Sequence, residues 1–96
     1  MLNQNIQVID LPAFQVEAPP TWKQIVEISP ELEFIRRDAA RILKGPQDRS
    51  FWESYENLKR RMASCVGMYA HPGLPRIIHS AEAYDLAHRE IFGGLV

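Results

Sequence analysis

Ninety-six residues, 46% hydrophobic and 24% charged with a mean hydropathy of -0.24, describe one ordinary globular domain and exclude a disordered or low-complexity chain. A formal net charge of -1 gives no whole-chain attraction to nucleic acid or acidic membranes, and a single cysteine, Cys65, excludes an internal disulfide. Charge is unevenly placed: residues 1–35 carry one base against five acids, residues 36–61 eight bases against four acids, and residues 62–96 two bases against three acids.

Residues 1–5 show no positive segment ahead of an apolar run, so a secretory signal is not expected, and no apolar stretch approaches the length of a membrane span. By elimination the expectation is a cytoplasmic protein without membrane contact. Residues 1–20 read as extended. Ile6 and Val8 alternate with Gln7, and Phe14 and Val16 alternate with Gln15 and Glu17, the period of a half-buried strand. Pro12 interrupts the run, and Pro19 with Pro20 closes it. The segment is therefore expected to be a short β-hairpin or an extended arm. Either needs another surface to lean on, because a lone hairpin is marginal in water.

Residues 21–96 read as a helical domain. Thr21 followed by Gln24 fits a capping box, and Trp22, Ile25 and Val26 share the face of a short helix that Pro30 limits. Ser29 as cap, Pro30 in first position and Glu31 near the positive end predict a second helix over residues 30–44. Its apolar repeat is Leu32, Ile35, Ala39, Ile42 and Leu43, and Gly45 and Pro46 stop it. Ser50 with Glu53, or Asp48 alone, starts a third helix over roughly residues 51–69. Its stripe is Phe51, Tyr55, Leu58, Met62, Cys65 and Tyr69, and Pro72 is expected to end it. The short connection between these two helices predicts an antiparallel helical hairpin as the frame of the domain. A turn at Pro72 and Gly73 leads to a last helix. Ile77, Ala81, Tyr84, His88 and Ile91 share a face that argues for a start near Pro75, whereas Ser80 is the better cap; both starts stay open. The expected fold is mainly α, with three to four helices.

Chemistry-bearing motifs are few. His71, His79 and His88 are spaced by eight and nine residues, unlike the close pairs of a zinc site, and no cofactor or metal is expected. Cys65 falls on an apolar stripe, where a thiol acts as a small buried hydrophobe. Nothing matches a nucleophile elbow, a metalloprotease helix or a phosphate loop, so no catalytic residue is assigned and an enzyme is the minority expectation.

Two surfaces remain. Phe14, Val16, Trp22, Phe34, Trp52 and Phe92 are large apolar residues in the extended segment, beside the predicted stripes, or beyond what one small core needs; they are the candidate interface. Arg37, Arg41, Lys44, Lys59 and Arg60 form a candidate nucleic-acid face on the basic hairpin, although Glu33, Asp38, Glu53 and Glu56 share its helices. The first function expected is a small protein–protein interaction or regulatory module, a homo-oligomer or one that binds another protein. Nucleic-acid binding is the alternative. A small enzyme or ligand binder around His71, Arg76, His79, Glu82 and Asp85 is a third.

Overall fold

The structure, a computed structural model, describes residues 18–95. The expected arm or hairpin lies, apart from residues 18–20, outside the described residues, and with it Phe14 and Val16. The regular elements are helices: α1 (Trp22–Ile28), α2 (Glu31–Ile42), α3 (Arg49–Cys65) and α4 (Ala81–Phe92), followed by a single 3-10 turn, Gly93–Leu95. No strand occurs among the described residues.

Local chemistry sets most of these boundaries. Thr21 and Gln24 form the expected reciprocal box: the Gln24 amide donates to Thr21 Oγ1 at 3.2 Å, and Thr21 N–H donates to Gln24 Oε1 at 3.0 Å. Ser29 does not cap α2. It leaves the helical conformation and closes α1, with its N–H on Ile25 O, and α2 starts from Pro30 without a side-chain cap. Two helices abutting at Ser29 and Pro30 leave no room for a separate cap residue, so the Leu32 and Glu33 amides go to the Ser29 and Pro30 carbonyls at 3.1 Å. Asp48 starts α3, its Oδ1 accepting from Phe51 N–H at 2.9 Å.

The end of α3 departs from expectation. The helix stops at Cys65, four residues short, because the chain turns at Gly67 with φ +118°, a conformation side chains rarely adopt. Gly67 N–H then donates to Ile78 O at 2.9 Å, and His79 Nδ1 donates to Gly67 O at 2.9 Å. Tyr69, placed on the buried stripe by periodicity, is instead 98% exposed, and Met68 beside it is exposed as well. Cys65 is only half-buried. The last helix starts at the later of its two candidate positions, with Ser80 Oγ accepting from Ala83 N–H at 3.2 Å.

Helix α2 packs against α3 and α4, and α1 lies on α2 and α4. Ile25, Leu32, Ile35, Met62, Val66, Ile78 and Phe92 are fully buried at their centre. Leu32, Ile35, Ala39 and Leu43 are the buried face of α2, as the spacing predicts, while Ile42 turns out to solvent. In α4 the buried positions are Ala83, Ala87, Ile91 and Phe92, so Ala81 is exposed and Tyr84 and His88 sit at the edge. Phe92 was expected off the stripe and available for contact; at 1% exposure it belongs to the core. Among the described residues no polar or charged side chain is buried, and no helix is long and apolar enough to cross a membrane.

Candidate interaction surface

With the core closed, what remains to act is the outer surface of the helices. Helix α3 contributes most. At 100° per residue, Phe51, Leu58 and Met62 point inward, which aims Arg49, Glu53, Glu56, Asn57, Arg60 and Ser64 to the opposite side, and all six are exposed. Trp52 stands on the shoulder of this face and is 44% exposed. It is held from below: its ring meets Phe51 edge-on at 5.0 Å and Tyr55 edge-on at 5.5 Å. Arg49, Trp52, Glu53, Glu56, Asn57 and Arg60 line a shallow surface groove along the helix. Within the helix Arg49 pairs with Glu53 at 3.4 Å, and Arg60 donates a hydrogen bond to the neutral Asn57 Oδ1 at 2.6 Å.

Below Trp52 an aromatic row joins α3 to α4. Tyr55 packs on Phe92 at 4.8 Å, and its hydroxyl and His88 Nε2 are hydrogen-bonded at 3.1 Å. His88 in turn stacks on Tyr84, and Lys59 Nζ lies 5.1 Å over the Tyr55 ring. This row fixes the rotamer of Tyr55 and, through it, the pose of Trp52.

The other proposed contact residues are scattered. Phe34 is 56% exposed on the outer side of α2, with the Arg37 guanidinium 5.9 Å over its ring. Trp22 is half-buried against the core, with the Arg36 guanidinium 5.9 Å over it. The exposed pair Met68 and Tyr69 was not singled out from sequence; the glycine at Gly67 was the available signal.

The five basic residues are not gathered on one face. Arg37 and Arg41 lie on the outer side of α2, paired with Glu33 at 3.5 Å and Asp38 at 2.9 Å. Lys59 leans toward α4 over Tyr55 and pairs with Glu56 at 3.5 Å, while Arg60 belongs to the groove beside Trp52. Lys44 is exposed on the turn after α2. Among the described residues the cation whose ion pairs bridge helices is Arg61, which reaches Glu31 at 2.7 Å and Asp38 at 2.9 Å.

That network sets an acid response. The hydrogen bond from Arg61, and then that from Arg41, holds the Asp38 carboxyl below its ordinary value of 3.8. A carboxyl lowered in the folded state adds stability above its unfolded value, and that stability is lost as pH falls through the folded value. Urea unfolding from pH 7 down to about pH 3 is expected to show a steeper stability loss in the wild type than in Asp38→Asn. Parallel curves would remove Asp38 from the acid limb.

The residues of the third reading do not converge. His71 Nδ1 accepts from Gly73 N–H at 3.0 Å, and His79 is spent on Gly67 O. Because α4 starts at Ala81, His79 and Glu82 do not meet one turn apart within a helix. Arg76 and Glu82 border a surface depression with Ala18, Pro19, Pro20, Ile77 and Ser80. Among the described residues no three His, Cys, Asp or Glu side chains cluster as a metal site would need.

Comparison with protein-family models, with curated proteins and with solved structures finds no match in any of the three.

Proposed function

We propose that this chain is a small protein–protein interaction module that self-associates through the outward surface of α3. Its frame is an antiparallel α2–α3 pair, for which the support is Arg61: late in α3, it reaches Glu31 at the start of α2. The observation that carries the proposal is Trp52, a large side chain that is 44% exposed yet braced by Phe51 and Tyr55 and flanked by Arg49 and Arg60. Tryptophan and arginine are the residue types that most often dominate binding energy at protein interfaces. A braced ring also loses little conformational freedom on contact, so more of its burial appears as affinity.

Truncating Trp52 to alanine separates a contact role from a core role. The expected result is a stability loss of about 1–2 kcal/mol, well short of the roughly 3–5 kcal/mol for a fully buried aromatic because the ring is half outside the fold, with self-association weakened at least about tenfold. Urea unfolding and sedimentation velocity measure the two. Unchanged association removes Trp52 as the anchor, and a stability loss of about 3–5 kcal/mol makes it a core residue.

Nucleic-acid binding ranks second. An exposed tryptophan between arginines can stack a base, but Glu53 and Glu56 stand in the same groove and oppose a polyanion. Steeply salt-dependent capture of a single-stranded oligonucleotide, lost on Arg49→Glu, would reverse that ranking.

A further inference from the structure

The exposed face of α3 is divided by charge along its length. Beyond Arg49 at its start, Glu53 and Glu56 occupy its N-terminal half, and Asn57 and Arg60 its C-terminal half, all exposed and all directed away from the core. The bulk is divided as well, with Trp52 at one end and the small Ala63 and Ser64 at the other. A helix face of this kind is complementary to itself when reversed.

We propose that α3 forms a two-fold, antiparallel contact with α3 of a second copy of this chain, centred between Glu56 and Asn57. This deepens the self-association proposed above and rests on it. In that register residues sharing a level have numbers that mirror across the centre. Glu53 faces Arg60 of the other copy, Glu56 faces Asn57, and Arg49 meets the neutral Ser64. Trp52 comes level with Arg61, whose guanidinium stays on Glu31 and Asp38 of its own chain, so the exposed cation nearest Trp52 is Arg60. Each charge pair occurs twice, about 10 Å apart along the helix at 1.5 Å per residue. A two-fold contact uses one surface patch on both copies, so one self-complementary face is sufficient. Arg60, drawn to Glu53 of the other copy, also comes to lie by that copy's Trp52, adding an attraction between guanidinium and ring.

The register centred between residues 54 and 55 is disfavoured: it sets Arg49 against Arg60 and Glu53 against Glu56, like charge on like in both charged pairs. Forming the contact exchanges weak local partners for better ones: Arg49 to Glu53 at 3.4 Å is exposed on both sides, and Arg60 is held only by neutral Asn57. With Trp52 its only large apolar residue, the contact belongs to the small, concentration-dependent class and weakens with salt.

The test is sedimentation velocity on the full chain from about 10 µM to about 1 mM, with circular dichroism confirming the fold of each variant. Wild type is expected to show a monomer–dimer equilibrium. Glu53→Arg or Arg60→Glu alone sets like charges face to face twice and is expected to weaken dimerisation at least about tenfold. The double variant carrying both changes restores opposite charges in the same places and is expected to recover dimerisation to within about threefold. A chain that stays monomeric throughout overturns both this contact and self-association. A dimer indifferent to all three variants overturns this contact alone, and self-association then stands on another face. Loss in both single variants without recovery in the double overturns the register.

Discussion

Replacing Phe92 with alanine is expected to lower the unfolding free energy by about 3–5 kcal/mol, the range for truncating a buried aromatic side chain. Phe92 is fully buried and touches Tyr55 at 4.8 Å and His88 at 5.2 Å, so its removal empties the junction of α3 and α4. Against a total stability of about 5–15 kcal/mol for a domain of this kind, the variant would be marginal at best. The conservative change Phe92→Leu keeps most of the volume and is expected to cost about half as much or less. Urea unfolding followed by circular dichroism measures both, and a Phe92→Ala loss below about 1 kcal/mol would show that α4 ends in solvent and not in the core.

The second large effect is expected at Gly67. Valine there must adopt φ +118° or move the turn, and its Cβ would stand 2.9 Å from Tyr84 Cδ2 and 3.2 Å from Tyr84 Cβ. Backbone strain costs about 1–3 kcal/mol and overpacking about as much again, so Gly67→Val is expected to lose about 2–6 kcal/mol. Moving the turn offers no escape, since Gly67 N–H is committed to Ile78 O and Gly67 O to His79. Gly45→Ala is the control: a Cβ there meets nothing within 4 Å, and little change is expected. Equal melting temperatures for the two variants would mean that the Gly67 turn does not constrain the fold.

Those two positions also mark where sequence reasoning stopped. Thr21, Gln24 and the Leu32, Ile35, Ala39 stripe were legible because caps and helical periodicity act within one or two turns. Gly67 was not, because its conformation is set by bonds to Ile78 and His79, eleven and twelve residues on. The apolar spacing simply ran through it to Tyr69. In α4 the larger side chains Tyr84 and His88 suggested the buried face, but Ala83 and Ala87 are the residues at 0% exposure. Small residues let a helix axis approach its neighbours closely, so the tightest contact carries the least conspicuous side chains. Rotating the buried face in this way takes Phe92 inside. Trp52 and Phe34 were legible as surface aromatics because both lie clear of strong stripes. What braces Trp52 was not, because Tyr55 gets its orientation from His88, thirty-three residues away.

The connection between α3 and α4 is pinned at Gly67 and again at Ile78 and His79, while residues 68–76 between the pins are mostly exposed. Arg76 sits at the outer edge of that stretch. A peptide bond cut there would leave Gly67 on one fragment and Ile78, Ala83, Ala87, Ile91 and Phe92 on the other, each fragment bearing its own half of the interlock. A single cut in this stretch is therefore expected to be tolerated better than one at Ser29 and Pro30, where adjacent helices share a single residue step; limited trypsin digestion followed by urea unfolding of the nicked chain measures it. The molecule has a seam there, where a break in the chain need not be a break in the fold.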